Sequence, residues 1–127
     1  MKLEREMMRG AGPTAVMHLL ADDEMYGYEL VEKLALRSKG VFELGQSTLY
    51  PMLYNLESKG LVSSREKAGP NGRKRRYYRL TAKGRKKLEK DREQWAALVK
   101  GMGALGLTAN RINGAFGSGL ALDGGNG

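Results

Sequence analysis

Leu49, Met52, Leu53 and Leu56 recur at the spacing of one helical face, while Ser47, Pro51, Tyr54 and Ser58 fall opposite and Thr48, Tyr50 and Asn55 on the flanks. The pattern predicts an amphipathic helix with one core side and one polar, aromatic and non-acidic side. Ser47 or Thr48 is expected to cap it, because Pro51 would then fall in the first turn, where a missing N–H lacks a partner anyway. Gly60 is expected to end it. The period then changes to two. Leu61 to Glu66 and Arg73 to Leu80 read as strands around "KAGPNG", whose Gly, Pro and Asn supply hairpin turn chemistry. In the second strand Arg76, Tyr78 and Leu80 alternate with Tyr77 and Arg79.

Ahead of this unit, Val16, Leu19 and Leu20 mark a first helix with Pro13 at its first position, and Met1 to Arg9 reads as a short helical arm. Met25 to Gly27 reads as a connector. Tyr28, Val31, Leu34 and Ala35 mark a second helix from about Gly27 to Ser38, ended by Gly40, and Val41, Phe42 and Leu44 form a local extended strip. Behind the hairpin, Thr81 is the expected N-cap of a long helix reaching about Met102. Its Leu88, Trp95, Val99 and Met102 recur at intervals of seven, four and three, a seam predicted to meet its own copy in a two-fold dimer.

From Gly101 onward nine of 27 residues are glycine, so ordering them is entropically expensive and a flexible tail is expected. The expected architecture is mainly α with a small β-hairpin. A winged helix-turn-helix domain occupies 1–80 with its short N-terminal arm, a C-terminal dimerisation helix 81–103, and a Gly-rich flexible tail 104–127.

Charge sharpens the picture. The net charge is +8, and Arg65 to Arg92 holds thirteen Lys or Arg against three Asp or Glu, leaving the rest at nine against eleven. A cluster of that kind on a helix-hairpin unit favours a polyanion through counterion release. Double-stranded DNA is the expected partner: the helix enters a major groove, and Arg73, Lys74, Arg75 and Arg76 at the turn-side end of the hairpin lie along phosphates. Asn55 and the Tyr and Ser hydroxyls can hydrogen-bond base edges, whereas Glu57 reads as an inter-element partner. The alternative is a basic RNA-binding or ribosome-associated protein, which would stack aromatic residues on single strands.

The absence of cysteine excludes disulfides, thiolate metal sites and cysteine nucleophiles. His18, the single histidine, lies off the apolar stripe with no carboxylate pair at ligand spacing. No catalytic residue, metal or cofactor is therefore expected, and the chain does not read as an enzyme. No apolar run approaches the ~20 residues that span a bilayer, and "MKLERE" is not followed by a signal-peptide core, so a cytoplasmic protein is expected.

"YGYEL" at Tyr26 to Leu30, "GVFELGQSTLYPMLYNLESKGLV" at Gly40 to Val62 and "GRKRRYYRLTAKG" at Gly72 to Gly84, followed by Trp95, resemble the PadR-like transcriptional regulators, specifically the short forms with one C-terminal helix. The resemblance spans about Met8 to Lys100 and leaves out the Gly-rich tail. It implies a homodimeric repressor of an inverted-repeat operator, often near efflux or stress-response genes, released by a small-molecule or stress signal. It also implies that Ser47, Thr48, Tyr50, Pro51 and Tyr54 face DNA and that Arg73 to Arg76 form the wing. Some such proteins bind flat aromatic molecules between the closing helices, where Trp95 would stack.

Overall fold

A computed structural model describes residues 1–108. In chain order the elements are α1 (Arg5–Leu20), β1 (Met25–Tyr26), α2 (Gly27–Arg37), α3 (Gln46–Ser58), β2 (Val62–Ala68), a 3-10 turn (Pro70–Gly72), β3 (Lys74–Leu80) and α4 (Ala82–Ala104). They form two compact units, Met1–Glu89 and a second beginning at Lys90, with α4 running through both.

The arm and first helix expected as separate pieces are one helix with Pro13 inside it. Met8, Ala11 and Gly12, ahead of the proline, are buried on the side that also buries Val16 and Leu19, so packing holds the turns together across the backbone bond that Pro13 cannot make. Gly12 lies where a Cβ would come within 2.8 Å of Met52 Cε, which brings α1 close to α3.

Helix α2 starts at Gly27 as expected and ends before Lys39 and Gly40, both with positive φ. Helix α3 begins before the expected cap. Gly45, not Ser47 or Thr48, is its N-cap, and the Gly45 carbonyl accepts from Thr48 N at 3.1 Å and Leu49 N at 3.0 Å. Pro51 therefore sits in the second turn, and Ser47, four residues earlier on the exposed side, loses its backbone donor. Gly60, at φ +74°, ends the segment as predicted, and Leu61 N closes it on the Leu56 carbonyl at 2.9 Å.

The connector at Met25–Gly27 is a correction. Met25 and Tyr26 form a third strand, pairing antiparallel with Tyr78 and Tyr77, so the sheet order is β1-β3-β2. Strands β2 and β3 pair from Val62↔Leu80 to Ala68↔Lys74, joined through Asn71 and Gly72 in the left-handed region. Opposed residues share a face, so Val62, Ser64, Glu66 and Ala68 lie with Leu80, Tyr78, Arg76 and Lys74, while Ser63, Arg65 and Lys67 lie with Arg79, Tyr77 and Arg75. The first face closes over the core, where Val16, Leu30, Leu49, Leu53, Val62 and Tyr78 are almost fully buried.

Thr81 caps α4 as expected: its Oγ1 accepts from Gly84 N at 3.0 Å and donates to the Gly60 carbonyl at 2.7 Å. Leu88, expected in the dimer seam, is buried in the core of the first unit. In the second unit Trp95, Leu98, Val99 and Met102 share one helical face, with Leu98 and Val99 exposed and Trp95 and Met102 half-buried. The helix ends at Ala104, and 109–127, most of the predicted tail, lie outside the described residues.

Candidate nucleic-acid interface

The apolar stripe of α3 turns inward, with Leu49, Leu53 and Leu56 buried and Met52 half-buried. Its other side leaves Ser47, Thr48, Pro51, Tyr54 and Asn55 exposed, and the first turn carries no acid. Tyr50 is divided between two environments. It is half-buried against the core with its hydroxyl against Gly27, while its ring stands 6.0 Å from that of Tyr54. Position 50 thus fixes how α3 sits on α2 and supports the aromatic surface beside it.

The wing splits the basic run that the sequence presents as a block. Lys74 and Arg76 stand on the face that meets α3, where Arg76 Nη1 donates to Ser64 Oγ at 3.1 Å and Ser64 Oγ donates to Glu57 Oε2 at 2.7 Å. This chain joins the C-terminal end of α3 to the wing through Glu57, the inter-element partner expected from the sequence. Arg73 is exposed at the turn.

Arg75 departs from the other three. Its guanidinium lies 5.0 Å from the Tyr26 ring centroid on the opposite face, and among the described residues its buried Nε has no hydrogen-bond partner. The strand period sends it there, and four further contacts build up that face. Tyr26 meets Tyr77 edge-on at 5.4 Å, Lys67 Nζ stands 4.4 Å over Tyr77, and Glu24 pairs with both Lys67 and, at 3.2 Å, Arg65. Hydrogen bonds from Lys67 and then Arg65 hold the Glu24 carboxyl below its ordinary range. Sequence reading missed this cluster because Tyr26 belongs to, and Glu24 precedes, a strand too short to show a period.

It also missed the N-terminal basic residues. Lys2, Arg5 and Arg9 border a groove of about 750 Å³, and its other wall includes Ser47, Thr48 and Asn55 of α3. Only their i, i+4 spacing at Arg5 and Arg9 hinted at a common face.

Among the described residues no group of His, Cys, Asp or Glu could hold a metal ion, and no helix is long and apolar enough to cross a membrane. His18 is exposed on α1.

Three packed helices, a paired wing and a capped closing helix define a winged helix-turn-helix protein. Residues 16–90 match the Transcriptional regulator PadR-like family, and the chain belongs to it; it is a transcriptional regulator and not an enzyme. The chain is 36% identical over 96 residues to transcriptional regulator Rv3488 of Mycobacterium tuberculosis, covering 76% of this chain and 86% of that one. A PadR-like transcriptional regulator from Bacillus cereus superposes with a TM-score of 0.72 at 27% identity, over 82% of this chain and 99% of that one. Bacillus subtilis PadR, solved in complex with operator DNA, shares the fold at a TM-score of 0.58 and 24% identity, over 65% of this chain and 46% of that one.

Proposed function

We propose that the chain acts as a homodimeric repressor. Two copies of α3 enter successive major grooves of an inverted-repeat operator, about 34 Å apart, while the wings neutralise flanking phosphates. The observation that carries this is the joint presentation of α3 and the wing. The exposed side of α3, which carries no acid in its first turn, adjoins a hairpin face bearing Lys74 and Arg76, tied to it through Ser64 and Glu57. Ser47, Thr48, Tyr54 and Asn55 can make single hydrogen bonds to base edges, and none offers the bidentate Arg-to-guanine contact. Phosphate contacts and DNA shape therefore carry much of the affinity. That Bacillus subtilis PadR, which shares this fold, was solved in complex with operator DNA supports DNA as the partner.

Dimerisation is assigned to α4 beyond Lys90, where the stripe of Trp95, Leu98, Val99 and Met102 is only partly covered within its own unit. Trp95 is the stacking surface for a small flat aromatic signal that releases the operator. The deciding experiment is a competition between an inverted-repeat duplex and an unstructured RNA, combined with footprinting of the DNA upstream of the chain's own gene. Two protected half-sites one helical turn apart are expected. Preference for the RNA would replace this function with single-strand binding.

A further inference from the structure

The groove between α1 and α3 brings together two sets of residues far apart in the chain. Ser47, Thr48, Pro51 and Asn55, four of the six α3 positions assigned to DNA, line it together with Lys2, Arg5 and Arg9. All three cations are exposed, and none makes an ion pair with a described residue. Glu43 is the one carboxylate in the lining. Glu6 lies about 100° from Arg5 around α1, and Glu4 precedes the helix as its extended N-cap; neither carboxylate lines the groove, which takes up Arg5 and Arg9 from the same turns. The groove is therefore a cationic channel beside the surface that meets bases.

We infer that Lys2, Arg5 and Arg9 form a second phosphate-binding strip, which grips the DNA backbone at the N-terminal end of α3. The wing meets α3 at Glu57, near its C-terminal end. The groove that the strip borders reaches from Asn55 back to Gly45, the N-cap at the opposite end of a 13-residue helix about 20 Å long, and Leu3 N, next to Lys2, donates to the Val41 carbonyl at 3.2 Å ahead of that cap. A major groove about 12 Å wide has a phosphate strand on each side, so a helix seated in it needs cations at both ends to be held in register. Without the strip one strand is gripped by the wing and the other is not.

The strip presupposes the duplex-bound state proposed above, and its test separates the two. Binding of wild-type chain and of a Lys2→Ala, Arg5→Ala, Arg9→Ala variant is measured by fluorescence anisotropy, across a salt series, on an inverted-repeat duplex and on the same duplex with scrambled half-sites. Each phosphate contact contributes about 0.9 to the slope of log K against log salt, so the variant should flatten the slope by about 2 to 3 per subunit. At about 0.15 M salt it should bind both duplexes roughly 100-fold more weakly. The exposed substitutions are expected to leave the melting temperature unchanged. Glu43→Gln supplies a reading of opposite sign, several-fold tighter binding to both duplexes. A wild-type chain that binds no duplex sinks the DNA function itself. A wild type that binds, with an unaltered slope in the triple variant or unaltered affinity in Glu43→Gln, sinks the strip alone.

Discussion

The hydroxyl of Tyr50 on α3 fills the space beside Gly27 at the start of α2, where any added Cβ would collide with it. The two helices of the helix-turn-helix are thus set against each other by a pair in which one residue has no side chain. Gly27→Ala forces the ring of Tyr50 outward and should destabilise the fold by about 1–3 kcal/mol, the usual penalty for overpacking. Helix propensity alone gives the opposite sign, a gain of up to ~1 kcal/mol. Thermal unfolding decides between them, and a melting temperature that rises would remove this contact as the determinant of the α2–α3 angle.

The wing makes a graded prediction from the two faces of β3. Arg73, Lys74 and Arg76 to Ala should weaken every duplex alike and flatten the salt dependence, by about 0.9 in slope for each phosphate that is no longer neutralised. Arg75→Ala removes the cation from Tyr26 instead, so it should lower thermal stability while leaving the slope nearly intact. If six or so phosphates are bound, the wild-type slope is roughly −5. Equal effects of Arg75→Ala and Arg76→Ala on the slope would show that both face the backbone.

How far these surfaces were legible in the sequence follows from the length of the signals. The stripe of Leu49, Leu53 and Leu56, the alternation through Tyr78 and Leu80, and the Thr81 cap each repeat or carry a local chemistry, and all three stand where the pattern puts them. Met25–Tyr26 is too short to repeat and becomes a strand only through pairing with Tyr77 and Tyr78 across the chain. Pro13 suggested a helix start, yet buried Met8 and Ala11 outweigh the missing hydrogen bond, a tertiary effect that no local rule contains. Leu88 has the spacing of the Trp95 seam because one face of α4 serves the core first and turns to other uses beyond it. The groove lined by Lys2, Arg5 and Arg9 depends on helix packing, so periodicity within either helix is silent about it.

Tyr78 gives the fold an alkaline limit. Burial, followed by the neighbouring Tyr54 and the Glu57 carboxylate, pushes its phenol up to about 12, whereas an unfolded tyrosine ionises near 10. Below about pH 10 the proton is bound in both states and its contribution to stability is fully present. Between about 10 and 12 the unfolded chain releases a proton that the folded chain keeps, so stability should fall as pH rises. Denaturant unfolding followed from pH 8 to 12 should show that decline, and Tyr78→Phe should flatten it. A variant that declines as steeply as the wild type would assign the limit to other groups.

Trp95 and Leu88 lie seven residues apart on one face of α4, and their substitutions should separate folding from assembly. Leu88 is 2% exposed in the winged core, so Leu88→Ala should destabilise the fold by about 2–5 kcal/mol. Trp95 is half-buried beside exposed Leu98 and Val99, so Trp95→Ala should leave that core intact and shift the dimer toward monomer or abolish the response to a flat aromatic ligand. Sedimentation at several protein concentrations, with and without such a ligand, reads assembly and response together. Should the Trp95→Ala chain sediment as an unaltered dimer and still respond, Trp95 is ordinary packing, and the dimer must be held by another surface.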